Sequence, residues 1–158
     1  MRSSRVPISA TALVASFFAS GAVVSHPTIR PRITRVRQHL DTYLDTEAEQ
    51  LLGYDDLILL DVQRQLDPVH AVLQVGGVPL LIHALPGFCQ PAWLLPDPAD
   101  ARAQLLTVLA LHDWIVGEVP AAASHESSDR VRLAARAAFA LLDGTPHGHG
   151  TARGHELS

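Results

Sequence analysis

The sequence predicts an α+β domain: an amphipathic helix, an antiparallel β-hairpin turning at Gly76-Gly77, and two C-terminal helices. Three observations carry this expectation. Apolar residues recur at helical spacing over residues 34–52, two apolar runs of similar length flank Gly76-Gly77, and Asp97-Pro98 has the form of a helix start.

The first element rests on Ile33, Val36, Leu40, Tyr43, Leu44, Leu51 and Leu52, a stripe in which Glu47 is the one polar member. Gly53 stands where such a helix stops. Residues 54–66 read two ways. Leu57-Ile58-Leu59-Leu60 suits a buried strand, or a short helix begun at Asp55 and ended before Pro68.

The hairpin joins residues 69–75 to 78–85, because glycine accepts the positive φ angles that two-residue turns demand. The register pairs Val75 with Val78, Leu73 with Leu80, and Ala71 with Ile82, giving a wholly apolar inner face. The outer face carries His70, Val72, Gln74, Pro79, Leu81 and His83. Residues 86–96 form an irregular link. Asp97 caps a helix over residues 97–116 with Pro98 in its first turn, and Ser127 or Ser128 caps a last helix over 129–143.

Residues 33–144 thus make one domain, preceded by an apolar segment with a basic, proline-containing linker (residues 1–32) and followed by a polar, disordered tail (145–158). Residues 6–25 carry no charge and follow Arg2 and Arg5, which outlines a signal peptide or anchor. The stretch is also diluted by polar residues and followed by four arginines, which favours a soluble accessory helix near residues 8–24. A cytoplasmic location follows from the second reading, a secreted or membrane-anchored one from the first.

Composition narrows the chemistry. Of 158 residues, 47% are hydrophobic and 5% aromatic, so the core is aliphatic. The twelve basic residues are all arginine, and without lysine neither a Schiff base nor a phosphate-loop lysine is available. Cys89 is the sole cysteine, which excludes an intrachain disulfide. The net charge of −4 argues against general nucleic-acid binding. Eight acids crowd residues 41–67 against Arg64 alone, an acidic stretch that would steer basic partners.

Candidate sites are few. His70 and His83 face each other in the predicted register, near enough to share a metal ion with Cys89 as a third ligand, although ordinary half-exposed strand residues look the same. His147, His149 and His155 form a loose chelating tail. His112-Asp113 has the residue types of an oriented base, but no serine lies in a nucleophile-elbow motif. The expectation is a non-catalytic protein without cofactor that binds another polypeptide, using Val72, Gln74, Leu81 and His83. Its aliphatic surface predicts a homodimer.

Leu51-Leu52-Gly53-Tyr54-Asp55-Asp56-Leu57-Ile58-Leu59-Leu60-Asp61, then Ala71-Val72-Leu73-Gln74-Val75-Gly76-Gly77 and Leu80-Leu81-Ile82-His83, resembles the first half of a type III secretion chaperone, over residues 36–116. Profilin-like roadblock domains share this order of elements. The resemblance implies a small acidic protein that holds a partner's unfolded segment on its hairpin. It departs from that family after residue 116, where residues 117–128 contain no convincing strand. Two other readings stand beside it: a small His-based metal-binding protein, and a secreted helical signalling or binding protein matured after about Ser25. The latter treats residues 33–52, 55–66, 97–116 and 129–143 as four bundle helices.

Overall fold

A computed structural model describes residues 9–21 and 26–144. Among these residues there is no strand, and the chain is built from six α-helices joined by short 3-10 turns. They are α1 (Ala10–Ala19), α2 (Ile33–Thr46), α3 (Tyr54–Leu66), α4 (Ala71–Phe88), α5 (Pro98–Glu118) and α6 (His125–Gly144). The predicted α+β class and the hairpin at Gly76-Gly77 are therefore incorrect. The resemblance to secretion chaperones loses the hairpin on which it depended.

The segment read as a hairpin is instead α4, the central helix, which packs against all five others. Its apolar residues lie on every side because neighbours surround it, so strand-like alternation and helical burial gave the same sequence pattern. Val72, Leu73, Leu80, Leu81, Ile82, Leu85 and Phe88 are all buried. By length and composition α4 would also cross a membrane, but 56% of that span lies inside the fold.

The Gly-Gly pair does break the chain direction, though within a helix. Gly77 has φ 67° and ψ −163°, which divides α4 into two helical pieces. Pro79 then falls in the first turn of the second piece, where a missing amide proton costs nothing. Gly76 is required for a different reason: a Cβ there would overlap the Leu80 side chain.

The other elements follow their local chemistry. Ser9 caps α1 by accepting from the Ala12 amide at 3.1 Å. Ala10, Leu13, Val14, Phe17 and Phe18 of α1 are buried, and Arg37 of α2 lies 5.1 Å above the Phe18 ring. Helix α1 thus belongs to the same core as residues 33–144. The basic linker ends in a 3-10 turn (Arg30–Arg32), and Arg32 and Arg35 both pair with the buried Asp100 at the start of α5, at 3.2 and 2.6 Å.

Helix α2 buries Val36, Leu40, Tyr43 and Leu44, then tightens into a 3-10 turn (Glu47–Leu51) before Gly53. Asp97 caps α5 as the sequence predicts, accepting from the Ala99 and Asp100 amides at 2.8 and 3.1 Å. Ser124 and Ser127 exchange amide-to-hydroxyl bonds of 2.9 and 3.1 Å, and α6 starts there, earlier than its predicted position. The tail, residues 145–158, lies outside the described residues, as do its three histidines and the small-residue stretch 22–25.

Buried polar side chains hold the irregular link between α4 and α5. Gln104, wholly buried, donates to the carbonyls of Phe88 (3.0 Å) and Trp93 (2.8 Å) and accepts from the Leu95 amide (2.9 Å). His39 makes a 2.6 Å bond to the same Trp93 carbonyl. Each polar group removed from water here regains a partner, which is what permits its burial.

Candidate protein-binding surface

Helix α3 departs from the rule that a helix hides its apolar stripe. Of its thirteen residues only Leu60 is buried. Tyr54, Ile58, Val62 and Leu66, each four residues after the last, share one face and are 79%, 52%, 51% and 77% exposed. Leu57 and Leu59 of α3 are exposed as well, as are Leu51 before the helix and Val69 after it. An apolar row of this length, open to solvent on a charged helix, makes α3 the candidate recognition surface of the fold.

The sequence supplies two apolar stripes on α3 and the fold uses one. Leu60 turns inward, and α3 leans chiefly on α4. The corner between α3 and α4 is held by polar bonds. Gln63 donates to the Gln74 side-chain oxygen at 2.8 Å, and Gln74 donates to the Val69 carbonyl at 2.7 Å. Asp67 accepts from the Val69 amide at 3.2 Å. His70 is the one described non-glycine residue with positive φ, 53°, and its ring nitrogen sits 3.7 Å from Asp45.

The electrostatics of this side are acidic. Asp55 and Asp61 stand on the same side of α3 as the apolar row, and Asp56 faces a groove beside it. Arg64 pairs with Glu49 at 3.0 Å, and this bond raises its already high pKa. Burial raises the Asp41 carboxyl, against the lowering effect of His70 and Arg37. Beside α3, at the α4 break, Leu51, Leu52, Asp56, Pro79, His83 and Arg130 line this groove of about 330 Å³.

The residues predicted to bind a partner are scattered. Val72 and Leu81 are core residues, so neither forms a contact face; their outward placement went with the hairpin. Gln74 is exposed but engaged at the α3–α4 corner, and His83 is exposed on the rim of the groove. The hairpin register that set His70 opposite His83 is gone: His70 is the N-cap of α4 and His83 lies beyond the break at Gly77. Cys89 is buried, and its thiol is pushed up to about 12 by burial. Among the described residues no three His, Cys, Asp or Glu side chains gather into a metal-ligand group.

The fold also completes an array that the sequence left without a serine. His112 Nε2 lies 3.0 Å from the Ser128 hydroxyl, and Nδ1 lies 3.4 Å from Asp113. The ring is sealed between α5 and α6, while the Asp113 side chain is 75% exposed and its contact longer than an ordinary charge-assisted bond. The geometry suits a strut between two helices. Sixteen residues separate His112 from Ser128, so only the antiparallel packing of α5 on α6 could reveal the contact.

Comparison with known proteins finds no match: no family model, no curated protein and no solved structure.

Proposed function

We propose that this protein binds another polypeptide through the outer face of α3 and performs no chemistry of its own. The observation that carries the reading is the row Tyr54, Ile58, Val62 and Leu66, apolar and open to solvent on a helix rich in acids. The fitting partner is an amphipathic helix whose apolar side chains cover this row and whose basic residues meet Asp55 and Asp61. Helix-on-helix docking of this kind places most of the affinity in a few buried anchors and the selectivity in the charged rim. Self-association through the same face sets those aspartates against their own copies, which disfavours a dimer built there.

Fluorescence anisotropy with synthetic amphipathic peptides tests the proposal. A peptide with a leucine face and arginine flanks should bind, and binding should weaken as salt rises. The same peptide with glutamate flanks should bind far less. Ile58→Asp should abolish the interaction. Equal affinity for both peptides, or full binding by Ile58→Asp, would overturn it.

A further inference from the structure

A second surface, on the opposite partnership of helices, has a different chemistry. Helices α5 and α6 run side by side, and between them lies an open notch of about 450 Å³. Its floor is apolar, made by Leu109, Ala135 and Phe139. Its rim holds Arg132 and Arg136 on α6 and Asp113 on α5.

Two arginines without a carboxylate partner share this one notch. Arg32, Arg35, Arg64, Arg102 and Arg130 each pair with a carboxylate, and Arg30 and Arg37, which do not, lie elsewhere, Arg37 over the Phe18 ring. Arg132 and Arg136 make no ion pair among the described residues, although they stand four residues apart, a spacing at which like charges repel. Asp113 shares the notch, yet it contacts His112 and comes within ion-pair distance of neither guanidinium. Two cations against one anion leave a local charge of +1 in a chain whose net charge is −4.

We infer that this notch binds a monoanionic amphiphile, a carboxylate carrying an aliphatic or aromatic body. A planar guanidinium receives a carboxylate through two parallel hydrogen bonds, and Arg132 and Arg136 offer two such forks over one space. The apolar body then lies on Leu109, Ala135 and Phe139, where its burial adds affinity that a bare anion lacks. Asp113 selects against a dianion such as a phosphate monoester, because its carboxylate would face the second negative charge. The volume is within the range of small-molecule sites. This site is independent of the α3 row: different helices form it and different residues carry it.

Isothermal titration calorimetry of the full chain with octanoate, octanol and inorganic phosphate tests the inference. Octanoate should bind saturably, octanol more weakly, and phosphate should not compete. The double variant Arg132→Gln with Arg136→Gln should lose affinity for octanoate by about tenfold or more, the loss expected when charge-assisted bonds go. Both positions are exposed, so the fold should be retained, and a circular dichroism melt checks this. Arg130→Gln, which removes a pair with Glu126 instead, should bind octanoate like the unaltered chain. Equal binding of octanoate and octanol, displacement by phosphate, unchanged affinity in the double variant, or no heat with octanoate would each overturn it.

Discussion

The Tyr43 hydroxyl donates a 2.6 Å hydrogen bond to the carbonyl of Ala84, and Gly87 lies one turn further along α4, directly against that hydroxyl. This contact seats α2 on the central helix. It also explains a glycine near the end of a helix that would otherwise favour alanine: a Cβ at position 87 would collide with the Tyr43 oxygen.

Gly87→Ala should therefore destabilise the protein by about 1–3 kcal/mol, the usual cost of forcing an extra carbon into packed surroundings. Tyr43→Phe removes the oxygen and should make Gly87→Ala less harmful than it is beside tyrosine. Urea unfolding of the two single variants and the double gives the coupling. Additive effects would show that the collision is relieved elsewhere.

Burial holds two neutral acids in this region. The Tyr43 hydroxyl is pushed up to about 12, chiefly by burial and then by the nearby Cys89 and Glu47, and the Cys89 thiol is pushed to about 12 by burial. Ordinary values are 10.0 for tyrosine and 9.0 for cysteine. The folded state thus holds these protons more tightly than the unfolded chain. Their contribution to stability is full below pH 9 and is lost as pH rises through the window from 9 to about 12. Urea midpoints measured across that window should fall, and Cys89→Ala should flatten the first part of the decline.

The helix starts were legible because they depend on neighbours in sequence. Asp97 with Pro98 caps α5 as expected, and the stripe from Val36 to Leu44 does face the core. The hairpin failed because an apolar run bounded by glycines describes a buried strand and a buried central helix equally well. Only the number of surrounding helices decides between them. Gly77 did mark a positive φ, but in a helix break. The exposed apolar row on α3 was hidden for a related reason. Leu57-Ile58-Leu59-Leu60 contains more leucine and isoleucine than one helix can bury, and the sequence does not say which of them turns out. The Arg132–Arg136 notch was invisible, since each arginine alone reads as a solvated surface charge.

Helix α1 supplies the next test. Phe17 is almost wholly buried, stacked edge-on against Phe18 and Trp114 at ring separations of 5.1 and 6.1 Å. Phe17→Ala should cost about 3–5 kcal/mol, as for other aromatic truncations in a core. The same geometry bears on a secreted form matured after about Ser25. Such a form lacks Leu13, Val14, Phe17 and Phe18 and should expose the α4 and α5 surface they cover. A chain beginning at residue 26 should therefore melt well below the full chain by circular dichroism. Equal melting temperatures would show that α1 adds little to the core.

The last prediction separates folding from binding on a single helix. Leu60 and Ile58 are two residues apart in α3, yet Leu60 is 1% exposed and Ile58 is 52% exposed. Leu60→Ala should destabilise the fold by about 2–5 kcal/mol, through lost burial and the cavity it leaves. Ile58→Asp touches no packed neighbour of that kind and should alter stability by roughly 0.5 kcal/mol or less. In binding the order reverses. Ile58→Asp places a charge in the middle of the apolar row, where a docked helix would have to strip it of water without pairing it. Asp55 and Asp61 already make this face negative, so a basic partner gains little from one more carboxylate at the centre. Thermal melts and peptide anisotropy on the same two variants make the comparison. A protein in which Ile58→Asp melts like the parent and loses the arginine-flanked peptide has a recognition face on α3. One in which Ile58→Asp unfolds instead has that face packed against its own core.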